Sequence, residues 1–432
     1  MKRLYIFLLL LTTFGVWAQT GSKRNWGMLR LQDSSQGYDS LLYELRTNQS
    51  TEAFDRFYNE FIDIDPNEVD LSGALADDTY EKRLKMMATE IQLPFNQIVK
   101  TYINVYTRRN FIENILGRAQ YYFPLFEEAL YRHNLPMELK MLPVIESALI
   151  PKAKSSAAAV GLWQFMTGTG KSYGLEVNSF VDERCDPIKS TEAACKFLKD
   201  LYRMYGDWTL VIAAYNCGPG NVNKALKRVP NATTYWEIYN YLPRETRNYV
   251  PSFIAATYAY TFHKAHGFSP AQALDHPMAV DTLMIDRMLH FDQISTTLNI
   301  PIELIRALNP QYRIDIVPAK GSVYSLTLPQ SAVTSFIERE SDIYAKDTLF
   351  LAKYLNISNL NDAALPREGR SVGSSASRGS TTGTKVTYKV KKGDTLGKIA
   401  SSYKVKVAEI QSWNKLRNTN VKVGQNLTIY RK

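Results

Sequence analysis

The chain has 432 residues, of which 45% are hydrophobic and 22% charged, with a formal net charge of +10 and three cysteines. This is the composition of an ordinary globular protein of two or three domains. The basic residues are dispersed, which argues against nucleic acid as a partner, and an odd cysteine count excludes a fully paired disulfide framework within one chain.

Residues 1–18 read as a signal peptide. Lys2 and Arg3 start it, Leu4 to Leu11 form the apolar run, and Val16-Trp17-Ala18 fits a small-residue cleavage site. The apolar run is short for a membrane span, with an uncleaved anchor as the alternative. No later stretch is apolar enough to cross, so no transmembrane segment is expected after cleavage. Loss of Lys2 and Arg3 lowers the net charge from +10 to +8, which still favours an anionic polymer. Export permits disulfides. Cys185 and Cys195 lie closest in sequence, although spacing alone does not show a bond, and Cys217 stands apart. The five histidines have no metal-ligand spacing with the cysteines, so no metal is assigned.

Residues 19–85 are polar with short helical patches such as Glu52 to Phe61, and read as a helical lead-in of open role. Residues 86–270 are densely helical. Phe111 to His133 is a long amphipathic stretch, and Pro136 to Ala148 is apolar on nearly every side. Pro187 to Tyr205 carries Ala194, Phe197, Leu198, Leu201 and Tyr205 at helical spacing, a buried face. Asp207 is placed to cap Trp208 to Tyr215, and Arg244 to His263 forms the last long helix. The C-terminal part contains a repeat. Ile294, Leu298, Ile300, Ile305 and Asn309 recur as Ile399, Tyr403, Val405, Ile410 and Asn414 at a constant offset of 105. Each copy, 281–330 and 386–430, reads strand, helix, helix, strand. Between them, 366–384 is a flexible linker, rich in Ser, Gly and Thr from Ser371 onward.

In the segment Leu135 to Leu149, Pro136 suits a helix start and Glu146 sits at the C-terminal end of a largely buried helix. Met141, Leu142, Val144 and Ile145 surround it with apolar bulk. Burial and the negative end of the helix dipole both push its pKa upward. A carboxyl group kept protonated near neutral pH can act as a general acid. The segment alone equally admits a glutamate hydrogen-bonded to a loop.

Further segments favour the first reading. Gly161-Leu-Trp-Gln-Phe-Met166, Ala213-Ala-Tyr-Asn-Cys-Gly-Pro-Gly-Asn-Val222 and Glu245-Thr-Arg-Asn-Tyr-Val-Pro251 follow Ile145-Glu146-Ser147 in order. Together they resemble the four motifs of lytic transglycosylases with a goose-lysozyme-like fold, and most closely the membrane-bound lytic transglycosylase D group, over roughly 95–265. The resemblance implies a mostly α-helical catalytic domain followed by small α+β modules. It makes Glu146 the catalytic residue and Ser147, which follows it in the pattern, a substrate-binding residue. It puts Ser155 near the leaving sugar, Gln164 on substrate, Tyr215 and Asn216 along the cleft, and Tyr249 in hydrogen-bond reach of the catalytic carboxyl. Trp163 is as well explained by the core, Gly218 and Gly220 by a turn, Arg244 and Arg247 by a solvated face, and Cys217 by small buried volume.

Ordinary glycosidases use two carboxylates. Asp182, Glu183 and Asp186 read as members of a polar loop and Asp207 as a cap, none in a setting comparable to that of Glu146. A single carboxyl group fits the family reaction, which cleaves between N-acetylmuramic acid and N-acetylglucosamine and leaves a 1,6-anhydro end without water, metal or cofactor. The rival readings are a hydrolytic muramidase, in which water attacks, and a non-catalytic wall-binding scaffold. The implied partner is the glycan strand of peptidoglycan, and the implied location is the periplasm, with association to wall or outer membrane left open.

Residues 386–430 resemble a LysM domain through Tyr388-Lys-Val, Gly393-Asp394-Thr395-Leu396, Ile399-Ala400, Tyr403, Asn414 and Gly424-Gln425-Asn-Leu-Thr-Ile429. The resemblance puts Gly393, Asp394, Thr395, Leu396, Asn414, Lys415 and Leu416 on or near a glycan groove, with protein binding as the alternative. The 281–330 copy keeps the core positions but has Met288-Leu289-His290 where the later copy has Gly393-Asp394-Thr395. A LysM-like fold packed on the catalytic domain is expected there, with glycan binding in doubt.

Overall fold

The structure is a computed structural model. It describes residues 51–346 except 273 and 275, and 384–431 except 392, 393, 395, 404, 406 and 415–423. The signal peptide, the lead-in before Thr51, the linker apart from Thr384, and Gly393, Thr395, Lys415 and Leu416 lie outside the described residues. The chain divides into two compact units, Met1–Ile357 and Ser358–Lys432.

The first unit begins with α1 (Thr51–Phe61), α2 (Asp77–Met86), α3 (Gln97–Tyr106) and α4 (Arg109–His133). Phe54, Phe57 and Phe61 fall on one face of α1 at helical spacing and are all buried. Phe61 stacks on Phe111 of α4 with ring centroids 4.1 Å apart. This face belongs to the same hydrophobic core as α3 and α4. The lead-in from Thr51 onward is therefore part of the helical body, and no boundary in the core falls at 85/86.

A 3-10 turn, Met137–Met141, precedes the short α5 (Leu142–Ser147). The stretch from Pro136 to Ala148 is thus two short helical pieces rather than the single helix expected. Then follow α6 (Thr167–Ser172), α7 (Pro187–Tyr205), α8 (Trp208–Cys217), α9 (Pro219–Leu226), α10 (Tyr235–Ile238) and α11 (Arg244–Phe262). Asp186 caps α7 by accepting from the amides of Ile188 and Lys189, and Gly206 ends it in the left-handed region. Asp207 caps α8 through the amide of Leu210, as its sequence position predicts. Among the described residues no helix is long and apolar enough to cross a membrane.

The earlier repeat copy folds as β1 (Val280–His290), α12 (Phe291–Leu298), α13 (Ile302–Leu308) and β2 (Ile316–Pro329), with β1 and β2 antiparallel. It continues beyond residue 330 into α14 (Gln330–Glu338) and α15 (Glu340–Ala345), whose Phe336 and Ile343 join its core. The second unit holds β3 (Thr384–Lys389), α16 (Leu396–Ser402), α17 (Val407–Trp413) and β4 (Asn426–Arg431), again with an antiparallel strand pair. The repeat extends to individual hydrogen bonds. Asn309 donates to the carbonyls of Ile305 and Thr327 and accepts from the amide of Thr327. Asn414 does the same with Ile410 and Thr428. One side-chain amide, wholly buried in the earlier copy and partly buried in the later, thereby joins the second helix to the last strand in each copy.

Candidate active site

Glu146 occupies the last turn of α5, and 8% of its surface is exposed. Immediately after the helix, Ala148 and Leu149 both adopt positive φ, 49° and 59°, an uncommon conformation for residues with a Cβ. Arg118 of α4 donates to the carbonyl of Ala148 at 3.1 Å. Ser147 donates its hydroxyl to the carbonyls of Pro143 and Leu162. Expected at the substrate, Ser147 is instead wholly buried and ties the helix end to the Gly161–Met166 segment.

Tyr249, buried in α11, donates its hydroxyl to Oε1 of Glu146. Burial raises the Glu146 pKa, the Tyr249 hydrogen bond opposes this, and the charge of Glu245 adds to the rise; the carboxyl is pushed up to about 8. A buried, protonated carboxyl aligned by a phenol is equipped to deliver a proton at neutral pH.

The remaining motif residues frame Glu146. Trp163 is fully buried and donates Nε1 to Thr191, which settles it in the core. Gln164 takes a positive φ of 46°, and its amide nitrogen donates to the carbonyls of Ala153 and Gly161. Ser155 accepts from the amide of Ala159 and closes the same loop. Tyr215 donates to the carbonyl of Trp163 at 2.7 Å, joining α8 to this segment. Asn216 accepts from Thr246 and donates to Glu245. Gly161 has φ +94°, and a Cβ there would lie 1.8 Å from the carbonyl oxygen of Arg184, so the glycine permits two backbone segments to meet.

Two participants escaped the sequence reading. Glu245 opens the Glu245–Pro251 motif, which by itself assigns it no role. Tyr58 of α1 lies in the lead-in, and its hydroxyl donates to Glu245 at 2.6 Å. Asp63, just after α1, pairs with Arg244, and Asp55 accepts from the amide of Ser156 at 3.3 Å. The only sequence signal was the spacing of the phenylalanines in α1, which marks a buried face and hence a place in the body. The acids expected in a polar loop are buried instead. Asp182 pairs with Arg184 and Arg313, Glu183 pairs with Lys189, and Asp186 caps α7. Each is engaged in holding the fold.

In the second unit, Asp394 accepts from the Tyr388 hydroxyl and the Lys391 amide, Leu396 is buried, and the Asn414 amide is engaged within its own module. Cys185, Cys195 and Cys217 are all free. Among the described residues no three His, Cys, Asp or Glu side chains gather to hold a metal ion.

Comparison with known proteins agrees with this architecture. Residues 124–238 match the Transglycosylase SLT domain, 279–345 the LysM-like domain of lytic transglycosylase MltD, and 388–429 the LysM domain. The soluble lytic murein transglycosylase of Escherichia coli (strain K12) is 30% identical over 141 residues, covering 31% of this chain and 22% of that protein. The crystal structure of the 70 kDa soluble lytic transglycosylase of Escherichia coli aligns at 21% identity and a TM-score of 0.31, over 54% of this chain and 44% of that one. The membrane-bound lytic murein transglycosylase D of Escherichia coli (strain K12) is 30% identical over 342 residues, spanning 78% of this chain and 70% of that protein. Matched by that relative over this length, the chain belongs to the membrane-bound lytic murein transglycosylase D family.

Proposed function

We propose that this chain is a peptidoglycan lytic transglycosylase of the cell envelope, exported to the periplasm, with Glu146 as both acid and base. The observation that carries the reading is the buried Glu146 carboxyl, hydrogen-bonded by Tyr249 and with its pKa pushed up to about 8 by burial.

Glu146 gives its proton to the oxygen between N-acetylmuramic acid and N-acetylglucosamine, and the C1–O bond breaks. Positive charge develops at C1 and is relieved by the substrate's own acetamido oxygen. The Glu146 carboxylate then takes the proton from the C6 hydroxyl, whose oxygen bonds to C1 and closes the 1,6-anhydro ring. Atoms balance without water, and Glu146 ends protonated as it began. Tyr249 holds the carboxyl in place and stabilises its anionic form between the two steps. Ser155, Gln164 and Asn216 border the sugar, and Tyr215 supports the segment that carries Gln164. The LysM module at 386–430 keeps the enzyme on the polymer through a second site, which raises local concentration.

Glu245 favours one competing reading. A second carboxylate whose charge reaches Glu146 could activate water and make the enzyme a hydrolytic muramidase. Mass spectrometry of the products from isolated peptidoglycan tests the two. Products one water lighter than the hydrated muropeptides, with 1,6-anhydro ends, support the transglycosylase. Reducing ends that carry the added water overturn it in favour of the muramidase.

A further inference from the structure

One feature of the first unit that the proposed chemistry leaves unexplained lies in contact with the Ser155–Gln164 loop. There the LysM-like module docks on the segment Asn178–Arg184. Val181 forms an antiparallel bridge with Tyr312. The amide of Asp182 donates to the carbonyl of Gln311, and the amide of Arg313 donates to the carbonyl of Phe180, both at 2.8 Å. Val181 is wholly buried within the module's own core, beside Leu289, Phe291 and Tyr312, and Phe180 packs against it. Tyr324 of β2 adds hydrogen bonds to the carboxylate of Glu176 at 3.2 Å. The catalytic body thus contributes a strand-like segment and an apolar anchor to the module.

The contact continues toward the active site through charge. Arg313 donates to Oδ2 of Asp182 at 2.9 Å. Asp182 in turn receives Arg184 in a two-pronged pair, Nε to Oδ1 and Nη2 to Oδ2, each 2.8 Å. The remaining terminal nitrogen of Arg184 donates to the carbonyls of Ala158 and Phe165 at 3.0 Å. Those two carbonyls flank the segment that holds Gly161, Trp163 and Gln164, and the backbone of Arg184 is the surface against which Gly161 closes. Asp182 and Arg184 are 4% and 3% exposed. Burial alone would raise the Asp182 pKa, but its two arginines outweigh that and hold the carboxyl below its usual range. A buried network of this kind has one favourable arrangement, and removal of a member leaves charges or carbonyls unpaired.

We infer that the LysM-like module is a positioning element of the catalytic site, acting through the relay Arg313–Asp182–Arg184 to hold the Ser155–Gln164 loop in its working geometry. The role of that loop in turnover rests on the function proposed above. The module's availability to sugar is correspondingly reduced. Asn309 to Gln311 correspond to Asn414 to Leu416 at the repeat offset, so the loop expected to meet glycan in the later copy is, in this copy, against the catalytic body. Asn309 is wholly buried and Gln311 is 4% exposed.

The test uses the full chain with Arg313→Ala, Arg313→Lys and Asp182→Asn. Arg313 is partly exposed, so the alanine variant is expected to fold with little change in Tm. Amide hydrogen exchange over residues 153–165 should accelerate in Arg313→Ala and Asp182→Asn while α4 and α11 stay unchanged. On soluble glycan fragments kcat should fall about tenfold, with KM moving less, as expected for a displaced positioning loop. Arg313→Lys should restore both readouts, and Arg313→Ala combined with Asp182→Asn should be no worse than the poorer single variant. Unchanged exchange over 153–165 in a folded Arg313→Ala variant would overturn the relay, whatever its rate. Exchange needs no turnover, so a wild-type chain that cleaved nothing would defeat the proposed function and leave the relay to be judged on exchange alone.

Discussion

Tyr249 donates its hydroxyl to Oε1 of Glu146 across 103 residues of sequence, and both side chains are buried. This contact aligns the acid and limits how far burial can raise its pKa. Glu245, in the first turn of α11, acts on the same carboxyl in the opposite sense through its charge.

The first prediction is therefore a pair of opposite shifts. The Tyr249 hydrogen bond lowers the Glu146 pKa, so Tyr249→Phe should move the basic limb of the kcat profile above the wild-type value near 8, with reduced kcat. Glu245→Gln removes a neighbouring negative charge and should move that limb down. A pH–rate series on soluble glycan fragments checks both, and a limb that stays in place in both variants would remove Glu146 as the titrating acid.

Glu146→Gln should abolish cleavage while leaving glycan binding in place. It should also change stability in a pH-dependent way. The folded pKa of about 8 lies above the ordinary glutamate value of 4.5, so the folded state holds a proton that the unfolded state releases between these values. Wild-type stability is then greatest, with respect to this group, below pH 4.5 and falls as pH rises toward 8. The glutamine variant lacks that loss and should be the more stable protein at pH 8, by an amount on the order of a few kcal/mol. Denaturant unfolding of both proteins at pH 5 and pH 8 measures the difference.

Gly161→Ala should be severely damaging. The added methyl would sit 1.8 Å from the Arg184 carbonyl oxygen at a φ of +94°. Strain and displacement of the loop should cost about 2–4 kcal/mol, with activity lost in parallel. Equilibrium unfolding checks the size, and a near-neutral effect would mean that the two segments do not approach closely in solution.

Removal of residues 371–432 should weaken binding to insoluble wall material and spare cleavage of soluble fragments, because Glu146 and its surroundings lie wholly in the first unit. Sedimentation with purified sacculi, set beside turnover of soluble fragments, separates the two properties. Equal sedimentation of the shortened chain would assign the module another purpose.

Much of the helical body could be read along the chain. The apolar face of Pro187–Tyr205, the Asp207 cap and the repeat offset of 105 were all visible there, because periodicity and capping arise between residues three or four positions apart. Glu146 was visible for the same reason, since the apolar residues that bury it surround it in sequence. Ser147, by contrast, was assigned to substrate on pattern alone. Its orientation depends on the Leu162 carbonyl, which only the packed structure brings within 2.9 Å.

What the amino-acid order determined by itself was the set of helices, the duplicated module and the acid at the end of a buried segment. The tertiary structure alone decided that α1 enters the catalytic core, that Tyr58 meets Glu245 across 187 residues, and that Arg313 of the LysM-like module reaches Asp182 across 131. Such pairs have no local periodicity to announce them. They exist because closing the core brings distant segments together, and a polar group taken out of water there must find its partner among whatever side chains arrive.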